Sequence, residues 1–169
     1  LTTVPGVGGR LDWSPTADVF VTEGVEESGM VDIRNASTGE SVRTFRGDDL
    51  DINEVRFSND GSMLAVTGDD STASILDSGT GEELATVVGE GGSWNPSFSA
   101  DGSLVATMWL AESKVRVNDT DTGAIVAEFP DLAAGIVELS PDGQHLVVAS
   151  TWQTELAPDG STIDVPPAV

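Results

Sequence analysis

The sequence predicts an all-β fold assembled from repeated four-stranded antiparallel sheets. Three observations carry that prediction: a composition rich in turn formers, a period-two hydrophobic pattern in short segments, and two turn markers recurring at one spacing. Nineteen Gly and eight Pro in 169 residues, with no amphipathic helical stripe of ten or more residues, call for short strands joined by tight turns. Four Ser-centred turns place Ser14, Ser58, Ser99 and Ser140 at steps of 44, 41 and 41, three of them continuing into Asp60-Gly61, Asp101-Gly102 and Asp142-Gly143. A second marker falls at Thr38-Gly39, Thr80-Gly81 and Thr122-Gly123, at steps of 42 and 42. Two independent markers sharing a period of about 42 residues define a repeated unit.

Each unit reads as four strands. In the second, residues 52–58 alternate Ile52, Glu54, Arg56 and Ser58 against Asn53, Val55 and Phe57, and Ser58-Asn59-Asp60-Gly61-Ser62 then supplies a turn. Residues 63–67 form a nearly continuous apolar run, as in a strand buried on both faces, and strands over 72–77 and 83–88 follow around the Ser78-Gly79-Thr80-Gly81 turn. The third unit repeats the order over 94–99, 104–108, 113–118 and 124–129, and the first over 10–14, 18–23, 29–35 and 40–45. The fourth is less regular. Strands are expected over 136–140 and 145–150, a shortened hairpin at Thr151-Trp152-Gln153, a third strand over 154–157, a turn at Pro158-Asp159-Gly160 and a fourth strand over 161–165.

A four-stranded meander repeated every 40 to 45 residues cannot bury both faces alone, and stacking such units radially is the β-propeller solution. The chain therefore reads as a single partial propeller domain, 1–169, with about four blades over 10–46, 52–88, 93–129 and 135–165, and with 1–4 as the outer strand of a preceding blade. Open blade faces require cover. Membership in a larger ring, pairing of two copies as a homodimer, and closure by four blades alone are the possible arrangements, in that order of preference.

The Ser-centred turns, together with Val31-Asp32-Ile33-Arg34-Asn35, Ala73-Ser74-Ile75-Leu76-Asp77 and Val115-Arg116-Val117-Asn118-Asp119 ahead of each Thr-Gly, resemble the WD-repeat β-propeller family over nearly the whole chain. The signature is worn: Arg34, Leu76 and Asn118 stand at the Trp position, and Asp48 and Glu90 stand where the family has His after Gly. The resemblance implies a non-catalytic platform that binds a protein or peptide, the sensor or scaffold part of a larger regulatory protein. An alternative is the propeller lid of a prolyl-peptidase-type hydrolase, which the Trp-Ser-Pro and Ser-Pro-Asp-Gly turns also suit.

Charge and chemistry narrow the function further. Seven basic and 29 acidic residues give a net charge of -22, which repels phosphate backbones and argues against nucleic acid as a partner. The same field attracts a basic one. With no cysteine, thiolate metal sites and thiol nucleophiles are excluded. Neither a membrane span nor a leader peptide is visible, so the expected address is cytoplasmic. The single histidine, His145, sits in a turn beside no nucleophile elbow, so no catalytic residue is assigned. Calcium at Asp119-Thr120-Asp121 or at 48–53 would lack the complete loop of an EF-hand, and no metal or cofactor is assigned. Asn35-Ala36-Ser37 and Asn118-Asp119-Thr120 match the glycosylation triplet within turns the repeat already demands.

In the resembled family, the loops joining a fourth strand to the next first strand, and second to third strands, share one face. On this sequence that face carries the candidate partner-binding residues Asp48, Asp49, Asp51, Asp69, Asp70, Trp94, Trp109 and Trp152, with Glu26, Glu27, Glu90 and Glu112 nearby. An acidic rim with interspersed Trp would recognise a basic partner by charge steering and cation-π contacts. Each Trp has a competing role as a plug between blades.

Overall fold

A computed structural model describes residues 9–24, 28–47, 51–132, 135–149 and 161–164. Blade 1 comprises β1 (Leu11–Trp13), β2 (Val19–Glu23), β3 (Met30–Asn35) and β4 (Ser41–Arg46). Blade 2 comprises β5 (Ile52–Phe57), β6 (Met63–Gly68), β7 (Thr72–Asp77) and β8 (Glu83–Val88). Blade 3 comprises β9 (Ser93–Phe98), β10 (Leu104–Trp109), β11 (Lys114–Asp119) and β12 (Ile125–Phe129). These are simple antiparallel meanders, each strand pairing with its neighbour in sequence. The fourth sheet holds β13 (Ile136–Leu139), β14 (His145–Ala149) and β15 (Ser161–Asp164). No helix among the described residues is long and apolar enough to cross a membrane.

The turns explain the register. Ser99 Oγ accepts the Leu104 N–H at 3.0 Å and donates to Asp101 at 2.7 Å, while Asp101 accepts the Ser103 N–H at 3.1 Å. The chain then reverses through Gly102 at φ +74°, in the left-handed region that glycine enters without a Cβ penalty. Ser58 with Asp60, and Ser140 with Asp142, repeat these bonds. At the other marker, Asp77 Oδ1 accepts the Thr80 N–H at 2.7 Å and Asp119 Oδ1 accepts the Thr122 N–H at 2.9 Å. A bulge recurs just before each of these turns, at Ile33/Arg34, Ile75/Leu76 and Val117/Asn118. The equivalence of the three complete blades therefore extends to this bulge.

Alternate residues face the two neighbouring blades. Val55, Phe57, Leu64, Val66 and Leu76 of blade 2 pack on Val21, Val31 and Ile33 of blade 1, while Ala65, Ile75 and Ala85 pack on Phe98 and Val105 of blade 3. Innermost strands follow one another in chain order, β1 on β5, β5 on β9 and β9 on β13. Cross-blade hydrogen bonds fix that order: the Phe57 N–H donates to Asp12 Oδ2 at 2.9 Å, and the Leu139 N–H to Ser97 Oγ at 2.9 Å.

The fourth sheet corrects the sequence reading. Residues 161–164 pair directly with β14, Leu146 opposite Ile163 and His145 opposite Asp164, so this segment holds the third place in the sheet and not the fourth. Local turn signals cannot reveal which partner a strand meets after a long connection, because register there is set by pairing across the sheet. The expected hairpin at 151–153, the strand at 154–157 and the strand at 1–4 lie outside the described residues.

Candidate partner-binding face

The meander puts the Ser-centred and Thr-Gly turns at one end of the three complete blades and the β6–β7, β8–β9 and β10–β11 loops at the other. The second end carries the acidic candidates. Asn53, buried at the start of β5, donates through Nδ2 to Asp69 Oδ1 at 2.8 Å and to the Ser93 carbonyl at 3.3 Å, which ties blade 2 to blade 3. Gly92 fits closely against this pair. A Cβ there would lie 2.7 Å from Asp69 Oδ1, 3.1 Å from Asn53 Nδ2 and 3.4 Å from Trp94 Nε1. Trp94 is half-buried, and the guanidinium of Arg10, just before β1, lies over its ring at 5.2 Å. Asp51 is exposed beside them, its carbonyl accepting the Asp69 N–H at 3.2 Å.

The structure thus brings Asp51, Asp69 and Trp94 together near the innermost strands. It sets two other candidates apart. Asp70 turns toward the outer part of the blade, where Oδ1 accepts the Thr72 N–H at 2.8 Å and hydroxyl at 2.5 Å. Trp109 is fully buried: its ring lies against Gly89 of blade 2, its indole N–H donates to Thr107 Oγ1 at 3.1 Å, and Arg116 sits over the ring at 5.6 Å. Trp109 plugs the gap between blades and is not presented on the rim. Asp48, Asp49 and Trp152 lie outside the described residues, as do Glu26 and Glu27.

Glu112 also departs from the simple acidic rim. One of its oxygens accepts from Arg116 at 2.7 Å and lies 3.0 Å from Lys114 Nζ, while the other accepts the Glu90 N–H at 2.8 Å. Burial pushes its carboxyl up, yet these three donors together outweigh burial and hold it below the usual glutamate range. Glu128 completes the cluster through Arg116 Nε at 2.8 Å and Lys114 at 3.0 Å, and these bonds lower its pKa as well. Sequence reasoning missed this network. Its signal was present in Lys114 and Arg116, which share one face of β11, with Glu112 in the turn just before that strand and Glu128 opposite Arg116 in the register.

A second polar row follows the inner strands. Arg56 pairs with Glu54 at 3.1 Å and approaches Glu138 at 3.9 Å, and Ser97 Oγ donates to Glu138 at 3.0 Å. Arg56, Ser97 and Glu138 border a cavity of about 180 Å³. Hydroxyls that a nucleophilic reading would need are committed to turns: Ser140 Oγ accepts the His145 N–H at 2.9 Å and donates to Asp142 at 2.6 Å. Thr120 is buried with its hydroxyl on the Gly102 carbonyl, and Asn118 is fully buried, so the second glycosylation triplet is inaccessible in the folded chain.

The comparisons with known proteins agree with these sheets. A family model described as the anaphase-promoting complex subunit 4 WD40 domain matches residues 11–92, from β1 to the loop before β9. Eukaryotic translation initiation factor 3 subunit I of Coccidioides immitis is 32% identical over 109 residues, covering 63% of this chain and 32% of the relative. The guanine nucleotide-binding protein subunit beta of Arabidopsis thaliana is 29% identical over 173 residues, covering 88% of this chain and 45% of the relative. This chain therefore spans between a third and a half of the length of these relatives. By its turns, its sheets and these matches, the chain is similar to the WD-repeat β-propellers.

Proposed function

We propose that the chain is part of a non-catalytic propeller in a regulatory assembly, and that it binds a basic segment of a protein partner on the face carrying Asp51, Asp69 and Trp94. The observation that carries this reading is the junction of blades 2 and 3. There an exposed carboxylate, a hydrogen-bonded carboxylate and a half-buried Trp converge at a loop end, in a chain of net charge -22. Such a field steers a cationic segment, and the aromatic face gives it a contact of defined geometry. Asp48 and Asp49 extend the same loop in sequence and join the proposed site on that basis. The cytoplasmic address inferred from the sequence is kept. The test is titration with a lysine- and arginine-rich peptide at several salt concentrations. Asp48→Asn, Asp49→Asn and Asp69→Asn together should weaken binding and flatten its salt dependence, whereas unchanged affinity rejects the face.

We further infer that a blade of a longer polypeptide covers the outward face of blade 1. Leu11 and Trp13 are 54% and 59% exposed, whereas their counterparts in blade 2, Val55 and Phe57, are 1% and 7% exposed. Val137 and Leu139 of the fourth sheet, at the same positions, are 2% and 7% exposed. The difference is that β5 and β13 each have a preceding blade packed on them.

A further inference from the structure

The 42-residue step makes the two complete blade junctions directly comparable. Between blades 2 and 3, the gap is filled from within by Arg116, which is 8% exposed. Its guanidinium donates to Glu128 through Nε at 2.8 Å, to the Val88 carbonyl through Nη1 at 3.0 Å and to Glu112 through Nη2 at 2.7 Å. One step earlier, between blades 1 and 2, Ser74 stands in place of Arg116, Asp70 in place of Glu112, Thr86 in place of Glu128 and Arg46 in place of Val88. The short side chain leaves a cleft of about 250 Å³ lined by these residues and by Glu83. That volume lies below the roughly 300–1,000 Å³ of pockets for drug-sized ligands and suits one long side chain.

We propose that this cleft is a docking socket for an arginine side chain of a protein partner, taking the place that Arg116 fills between blades 2 and 3. The inference deepens the interaction-platform reading and rests on it. Asp70 already accepts from Thr72, and both Asp70 and the Arg46 side chain, exposed at the rim, have a further interaction. Neither fact closes the socket: a carboxylate offers about four acceptor sites, and Glu112 takes donors from Glu90, Lys114 and Arg116 at once. Glu83, bonded to Ser74 Oγ at 3.2 Å, adds a second carboxylate where blade 3 has Ile125. Two carboxylates and the hydroxyls of Thr72, Ser74 and Thr86 favour a planar, multiply donating cation over an apolar side chain.

The probe is the capped tripeptide acetyl-Gly-Arg-Gly-amide, titrated into the whole chain and followed by amide NMR shifts, with the citrulline tripeptide as the uncharged control. The arginine peptide is expected to shift the Thr72, Ser74 and Thr86 amides and to bind at least tenfold more tightly than the citrulline peptide. Ser74→Arg, which rebuilds the internal plug, should abolish those shifts without lowering Tm. Ser74→Leu fills the same space without charge and should also abolish them, which keeps the test decisive if the Arg variant does not fold. Equal binding of the two peptides, or undiminished binding to a folded Ser74 variant, overturns the socket. If Asp51→Asn with Asp69→Asn removes binding of a longer basic peptide while both Ser74 variants retain it, the socket fails and the interaction face stands.

Discussion

Single residues set the turns, and their ionisation should be felt in stability. Asp101 is held below the usual aspartate range by the Ser99 hydroxyl, then by the Ser103 N–H and hydroxyl, and Asp60 by the Ser62 N–H and the hydroxyls of Ser58 and Ser62. A carboxyl whose pKa is depressed in the folded state contributes stability above its unfolded value, and that contribution is lost as pH falls through the folded one. Asp101→Asn should therefore lower Tm at pH 7, and the gap to wild type should close as pH drops below the ordinary aspartate range of about 3.9. A gap independent of pH, read by thermal melts across that range, would show that the charge is irrelevant. These turns were legible in the sequence because a Ser-x-Asp-Gly segment carries its own acceptors, donors and left-handed Gly. Trp109 was not, since period-two patterning gives its side of the sheet but not what meets it there. The residue that meets it is Gly89, where a Cβ would lie 2.2 Å from the indole ring. Trp109→Ala should cost about 3–5 kcal/mol in chemical denaturation, as for other large buried aromatics, and Gly89→Ala should destabilise the fold by overpacking the same contact.

At the scale of elements, the period located the strands of the three complete blades to within one or two residues, because their hairpins are short and their registers follow from the turns. It failed for residues 161–164, whose partner lies across a longer connection. The strand β11 shows what a period does not display: Arg116 gathers Glu112 and Glu128 in the gap facing blade 2, in a place where the preceding blade has Ser74. A partly buried cluster of this kind is held by mutual compensation. Removing one member exposes the rest to uncompensated desolvation, while removing charge from all members costs less. Arg116→Met should accordingly lower Tm more than Arg116→Met combined with Lys114→Met, Glu112→Gln and Glu128→Gln. The reverse order would mean that the cluster is a solvated ornament of the rim.

At the scale of the whole molecule, stability comes from equivalent sheets packed face to face about one axis, and function comes from the loops that packing displays. The uncovered face of blade 1 has a direct consequence. Leu11 and Trp13 should drive self-association of the 169-residue chain at rising concentration in sedimentation experiments, and Trp13→Asp should suppress it. A chain that stays monomeric at all concentrations would contradict the inference that a further blade belongs there. Blade order itself is tested most directly by proton NMR cross-relaxation between residues far apart in sequence. Radial packing predicts strong cross-peaks between the Trp109 ring and the Gly89 α-protons, and between the Trp94 ring and the Arg10 side chain. Finding neither, with Trp109 contacting residues of its own sheet alone, would contradict the propeller arrangement from which the proposed binding face follows.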